Sequence, residues 1–472
     1  MLKKLVWIVP LVGFFVWRNE RVLRHSFILP PFNKGFFAAG LYEEDCSPLG
    51  NPANAAFQSL KYCEDETFWD IRNKDNKLEQ RHLLLSCDPN RKSWNTVMGP
   101  LRDPNPRGNL WLLTLDPYKD DAEKKAPVQV SLEGYPADHD FHPLGLEIYP
   151  SRGGKPSNLF VVNHARARTT IEQFVLDPSN PASAKYIRTL TSPHFTAPNA
   201  IALTSPTSFY VSNDHLMTRR LPYGLGHVLP VAETILALPL GWVAHVSLKA
   251  NKTHPSAEPR LVHTVVAPSI PFANGVALSP DGSEVAIAST TLAQVIFYKR
   301  NAKNNKLERT DTVLMPFMPD NIAYDDSNTL IVTGHANTPR LLSLAANRTA
   351  AVSPSWVVSV QRRQVYEDEV KPEGAAPRLF AESQEYDMQA PVSASGRAPA
   401  MNSHVVETLF QSDGTGFSSA STGLRDASSG NLYITGLYAE EGAIVCRAKH
   451  LDTDLGEEEN DDSIDVAEEP DA

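Results

Sequence analysis

The chain has 472 residues, 42% of them hydrophobic and 21% charged, with 37 prolines, 25 glycines and 4 cysteines. That length can bury a large core and allows one large all-β domain or two to three smaller ones. The formal net charge of -11 belongs to the tail: Asp452 to Ala472 carries 11 of the 55 acids and no Lys or Arg, which leaves 44 acids against 44 bases elsewhere, so the body offers no basic face to nucleic acid.

Residues 1–24 open on Lys3 and Lys4, followed by the 13-residue apolar run LVWIVPLVGFFVW that ends at Trp17, with Arg18, Arg21 and Arg24 behind it. The run is short for a bilayer span, which needs about 20 residues, but it matches a signal-peptide core. No small-x-small cleavage site follows in RNERVLRHS. The expectation is an uncleaved signal that anchors the protein to a membrane of the secretory pathway, in the endoplasmic reticulum lumen or at the cell surface, with secretion as the alternative. An oxidising compartment then suits Cys46, Cys63, Cys87 and Cys446 as disulfide formers and the sequons at Asn251 and Asn347 as glycosylation sites.

Between Cys46 and Cys446 helical patterns are few and short apolar or alternating runs are many: NLWLLTL (109–115), VQVSL (128–132), NLFVVN (158–163), SFYVSN (208–213), EVAIAS (284–289), QVIFYKR (294–300), TLIVTG (329–334) and NLYITG (431–436). Gly, Pro, Asn and Asp separate them, which is an all-β signature. WVAHVSL (242–248) fits strand or helix, residues 366–400 read as an inserted loop, and 451–472 as a disordered acidic tail.

The strands repeat in pairs. NAIALTSPTSFYVSND from Asn199, NGVALSPDGSEVAIAS from Asn274 and NIAYDDSNTLIVTGH from Asn321 share one outline, and the stretch from Leu144 keeps it without the leading Asn. Such repetition predicts a β-propeller over 46–450, with roughly six blades at about 40–50 residues each. A two-sheet sandwich would give no reason for the same polar residue at equivalent positions. In a propeller the inner strands meet at a central channel, so Asn199, Asn274, Asn321 and the adjacent Asp320 would converge. An oxygen-only cage of amides and carboxylates suits calcium better than zinc or copper, whereas a lone Asn at a strand end would simply make a turn.

NLFVVNHARARTTIEQF, SFYVSNDH, PFANGVALSPDG, MPDNIAYD and YCED, taken together and in that setting, resemble the serum paraoxonase/arylesterase family. The resemblance covers roughly residues 46 to 450 and implies a six-bladed propeller that hydrolyses aryl esters and lactones with calcium in its channel. Carried over residue by residue, it places the catalytic calcium on Glu64, Asn199, Asn274, Asp320 and Asn321. It places a second, structural ion on Asp65 and the Leu146 carbonyl, but the remaining ligand position is Ala200. One of the family's two catalytic histidines falls on His164; the other falls on Leu144, with His142 two residues earlier, where a strand's period of two would put it on the same face. His335 and the Asp214–His215 pair match positions near the channel mouth. Water would then be activated by Asp320, His164 or His335. The family's ring-closing disulfide falls on Cys46 and Cys446, and Cys63 with Cys87 stand as a second pair.

Two other readings stay open: a non-catalytic, calcium-stabilised propeller that binds a partner, favoured by Ala200 and Leu144, and a propeller enzyme of gluconolactonase or strictosidine-synthase type. No G-x-S-x-G elbow, P-loop or dinucleotide fingerprint occurs in the chain, which argues against the corresponding enzymes.

Overall fold

The apolar runs are strands of six sheets arranged as the blades of a propeller. In this computed structural model the residues described are 10, 12–17, 20–26, 32, 34–38, 42, 46–51, 53–115, 126–250, 258–346, 351–363 and 403–448. The two sequons, the 366–400 insertion, the acidic tail and the first nine residues lie outside them. Among the described residues no helix is long and apolar enough to cross a membrane.

From the axis outward, blade 1 is Cys63–Arg72, Leu78–Cys87, Asn109–Leu115 and Val128–Gln129. Blade 2 is Pro143–Ile148, Ser157–Asn163, Thr170–Asp177 and Asn180–Leu190; blade 3 is Pro198–Ser205, Ser208–Asn213, Gly241–Lys249 and Arg260–Ile270. Blade 4 is Ala273–Leu278, Glu284–Ser289, Gln294–Arg300 and Leu307–Leu314; blade 5 is Met318–Tyr324, Leu330–His335, Ser355–Arg362 and His404–Ser412. Blade 6 starts with Ala420–Arg425, Leu432–Gly436 and Ala443–Cys446, and takes its outermost strand, Cys46–Pro48, from the other end of the chain. Cys46 pairs in register with Cys446 and the two are disulfide-bonded, as are Cys63 and Cys87. Both pairings expected from the sequence are therefore present, and the first closes the ring.

Each blade is covered on both faces, and this explains why so many runs are continuously apolar and not alternating. In NLFVVN, Leu159 and Val161 pack against blade 1, whereas Phe160 and Val162 pack against blade 3. The same holds around the ring: one buried cluster fills every seam, the last joining Leu83, Leu85 and Trp111 of blade 1 to Tyr433 and Val445 of blade 6. Closing the ring in this way leaves only short edges for other chains to pair with.

A polar seam complements the apolar ones. Arg81 of blade 1 is 2% exposed and bonds Asp70 at 2.7 Å, Asp426 of blade 6 at 2.8 Å and Asp326 of blade 5 at 2.8 Å. WVAHVSL is a strand, Gly241–Lys249. VQVSL is not one strand: Val128–Gln129 ends blade 1, Val130 turns into the core, and Ser131–Glu133 runs parallel to Asn180–Leu190 on blade 2. One short segment thus joins two blades. The helices Leu225–Ile235 and Thr338–Ala345 sit in the loops of blades 3 and 5 and lie over the same end of the channel.

Candidate metal centre and catalytic cavity

At the start of every inner strand the pairing with the second strand skips residues. The skips fall between Cys63 and Asp65, Pro143 and Leu146, Pro198 and Ile201, Ala273 and Val276, Pro319 and Ile322, and Ala420 and Thr422. Such bulges break the in–out alternation and re-aim the unpaired side chain, here at the channel. The residues inside the skips are Glu64, Leu144 with Gly145, Asn199 with Ala200, Asn274 with Gly275, Asp320 with Asn321, and Ser421. Two glycines let the strands come this close. A Cβ at Gly145 would lie 2.1 Å from the Asn199 carbonyl oxygen, and one at Gly275 would lie 2.8 Å from that of Asp320.

The polar side chains form three hydrogen-bonded groups around the channel. The Asn321 amide nitrogen donates to Glu64 Oε1 at 2.9 Å and to Thr422 Oγ1 at 2.9 Å. The Asn274 amide nitrogen donates to Asp320 Oδ1 at 2.5 Å, and Asp320 Oδ2 lies 2.9 Å from His335 Nε2. The Asn199 amide nitrogen donates to Asp214 Oδ2 at 3.3 Å. With every amide NH2 committed, the oxygens are left over: Glu64 Oε2, Asn199 Oδ1, Asn274 Oδ1 and Asn321 Oδ1 are buried without a hydrogen-bond partner among the described residues.

An unmet buried acceptor costs about 1–3 kcal/mol, and four such oxygens around one channel are a donor set that suits a cation. Oxygens of amide and carboxylate type are the donors that hard ions take. Only two members of the set are carboxylates, and among the described residues no cluster of three or more His, Cys, Asp or Glu side chains could hold a metal. Amides therefore dominate this donor set. Burial, then the charges of Asp65 and Asp320, push the Glu64 carboxyl well above its usual range, a strain that a positive ion would relieve.

Glu64, Asn199, Asn274 and Asp320 line a cavity of about 380 Å³ at the channel mouth, whereas Asn321 faces a second cavity, of about 470 Å³, on its lower side and joins the set through Glu64. The upper cavity is walled by Trp94, Leu144, Phe272, Met318 and Leu341, and it also receives His142, His164 and His335.

Asp65 behaves unlike its neighbour Glu64. Its Oδ1 accepts from the Glu66 N–H at 2.9 Å and the Thr422 hydroxyl at 3.0 Å, and its Oδ2 accepts from the Leu146 N–H at 2.9 Å. Leu146 and Asp65 are thus together, but through a donated proton and not through a carbonyl shared with an ion. Ala200 adds no side-chain oxygen. Both Asp65 oxygens accept hydrogen bonds, so a second ion there would have to share them with these donors. Burial raises the Asp65 carboxyl to about 7.

The histidines separate by what their nitrogens touch. His164 Nε2 lies 3.0 Å from the Pro198 carbonyl, which can only accept, and Nδ1 lies 2.6 Å from Thr96 Oγ1. Both nitrogens are used, and burial lowers its pKa to about 4. His215 has only Nε2 hydrogen-bonded, 2.8 Å from Thr234 Oγ1; its Nδ1 lies 3.2 Å from Asp214 Oδ1 without a hydrogen bond among the described residues. His335 keeps Nδ1 unmet. His142 is placed by a residue the sequence reading did not pick out: Asp88 Oδ2 lies 2.9 Å from its Nδ1. Asp88, Thr96, Trp94 and Thr422 lay beyond sequence reasoning; the one available signal was Asp88 directly following the paired Cys87.

Comparison with known proteins agrees with the resemblance read from the motifs. The arylesterase family profile matches residues 101–383. Serum paraoxonase/arylesterase 2 of Gallus gallus is 28% identical over 240 residues, 50% of this chain and 60% of that one. Serum paraoxonase/arylesterase 1 of Homo sapiens is 29% identical over 237 residues, 50% and 59% of the two chains. The matched stretch thus spans about 60% of the length of these curated relatives. A gluconolactonase of Xanthomonas campestris superposes with a TM-score of 0.39 at 12% identity, covering 89% of this chain and 99% of that one, a likeness too loose to bear on function. With the family profile covering more than half of its length, the chain belongs to the arylesterase family.

Proposed function

We propose that the protein is a calcium-dependent hydrolase of aryl esters or lactones, with one ion held by Glu64, Asn199, Asn274, Asp320 and Asn321. The observation that carries this reading is the set of four buried, unmet oxygens on Glu64, Asn199, Asn274 and Asn321. Bound among them, calcium would polarise the ester or lactone carbonyl and favour the negative charge that develops on its oxygen. The chain's own side chains do the rest. Trp94, Leu144 and Phe272 give the cavity an apolar wall for an aryl or alkyl group and keep bulk water from it. His335 and Asp320, 2.9 Å apart, can share a proton beside the reacting centre. The family supports a lactone or ester hydrolase in general; which ester is set by the loops over the cavity.

The two disulfides fit an oxidising, secretory route, to which the apolar run before Trp17 would direct the chain. A non-catalytic propeller that binds a small molecule or partner is the second reading. It is favoured by Leu144 in place of a histidine and by His164 having both nitrogens engaged. Turnover of phenyl acetate and a lactone panel, with and without chelator, separates the two. The hydrolase reading expects turnover that a chelator abolishes and that Glu64→Ala lacks; activity retained by Glu64→Ala under chelation refutes it.

A further inference from the structure

The cavity holds one acid–base pair that belongs to neither the cation set nor the histidine positions of the sequence motifs. His142 is 2% exposed and Asp88 is 1% exposed. Asp88 Oδ2 lies 2.9 Å from His142 Nδ1, while its Oδ1 accepts from the Asn90 N–H at 2.9 Å. A carboxylate at Nδ1 fixes the proton there and leaves the lone pair on Nε2. That Nε2 has no hydrogen-bond partner among the described residues, although His142 and Asp88 both line the upper cavity with Glu64, Asn199, Asn274 and Asp320. The Trp94 ring lies against the imidazole, with centroids 5.6 Å apart, and the His142 N–H donates to Asn163 Oδ1 at 2.8 Å. Backbone, ring face and one nitrogen are thus all fixed, and a single basic atom is left for whatever fills the cavity.

We propose that His142, oriented by Asp88, is the general base of the hydrolysis. This rests on the hydrolase reading above and names the proton acceptor for it. His142 Nε2 takes a proton from water as the water oxygen bonds the carbonyl carbon and the carbonyl π pair moves onto its oxygen. When that pair returns, the bond to the leaving oxygen breaks and the leaving alkoxide or phenoxide takes the proton back from Nε2. Water and ester are consumed, acid and alcohol are formed, and His142 ends neutral. Asp88 acts through His142: it sets the tautomer and stabilises the imidazolium, as the carboxylate does in a Ser-His-Asp arrangement. His164 cannot do this with both nitrogens bonded. His335 is less suited because its carboxylate, Asp320, also serves Asn274 and the cation set.

The disulfide links the two halves of the machinery. Cys63 and Cys87 are bonded directly across the two inner strands of blade 1, and the residues that follow them are Glu64 and Asp88. One covalent bridge therefore positions a cation ligand and the group that orients the base.

The test measures phenyl acetate turnover by the full-length protein in calcium, with melting temperature read with and without calcium. His142→Ala is expected to lose about 10²–10⁴-fold in kcat, to keep the calcium-induced rise in melting temperature, and to recover turnover with added imidazole. His142→Gln keeps the volume and a donor for Asp88 but no basic nitrogen, and it is expected to be equally slow, which guards against a folding defect of the alanine variant. Asp88→Asn is expected to lower kcat with KM near wild type, a split that a purely structural role does not give. Wild-type kcat in His142→Gln overturns the role of His142 while leaving the hydrolase reading in place. A wild-type protein that turns over neither phenyl acetate nor lactones overturns both.

Discussion

Glu147→Gln in the lower half of the channel should stabilise the calcium-free protein, by an amount that grows as pH rises from about 4.5 to about 8. Glu147 sits below the cation set in the cavity that also holds Asp65 and Glu66, and its Oε2 accepts from the Thr67 hydroxyl at 3.1 Å. Burial, then the charge of Asp65, raises its carboxyl from 4.5 to about 8. A carboxyl whose folded pKa is raised costs nothing below its unfolded pKa, where it is neutral in both states. It costs progressively more as pH rises, and the full amount above the folded pKa. A carboxyl raised from 4.5 to about 8 corresponds to roughly 5 kcal/mol, taking about 1.36 kcal/mol for each tenfold change in proton affinity. That is a ceiling, because the side chain is only part-buried at the wall of an open cavity and water there screens it, so about 2–4 kcal/mol is expected. Glutamine keeps the contact with Thr67 and carries no charge. Urea midpoints of wild type and Glu147→Gln, measured with chelator at pH 4.5, 7 and 9, should coincide at the lowest pH and diverge in favour of the variant as pH rises. A constant offset, or a variant that loses ground at pH 9, refutes the reasoning.

Replacing Cys46 and Cys446 together by Ser opens a closure that spans 400 residues. Chain-entropy loss sets an upper bound of about 6 kcal/mol for so long a loop, so a clear drop in melting temperature is expected, with Glu64 and its partners left in place and calcium-dependent turnover retained below the new transition. An unchanged melting temperature would show that the strand pairing of Cys46–Pro48 alone holds the ring. Replacing Cys63 and Cys87 by Ala should instead weaken calcium binding and turnover together, because both Glu64 and Asp88 lose their shared brace; loss of one without the other contradicts that coupling.

The propeller was legible because its repeat is local. The inner strands of blades 3, 4 and 5 carry a polar residue at their start and continue apolar, and the structure shows why: a bulge at that point turns Asn199, Asn274 and Asn321 to the axis, and burial of both blade faces demands runs such as NLFVVN. Glu64 was found through its motif, since its blade carries no asparagine there. The proton-transfer groups were harder to read. Asp88 and His142 are 54 residues apart, and Thr96 and His164 are 68 apart. The stretch containing Asp88, Trp94 and Thr96 crosses the channel mouth with little regular structure, so no period in the sequence encodes what it meets. The same holds for the Arg81 seam, whose three carboxylates come from three blades. Leu146 lies beside Asp65, as the pattern has it, and its N–H donates to that carboxylate.

The central claim is that the unmet oxygens of Glu64, Asn199, Asn274 and Asn321 form a calcium seat. Calorimetric titration of chelator-stripped protein with calcium tests it most directly. One ion is expected to bind per chain, with binding lost in Glu64→Ala and in Asn274→Ala while both variants remain folded. Absence of calcium binding by the wild type, or undiminished binding by the two variants, contradicts it.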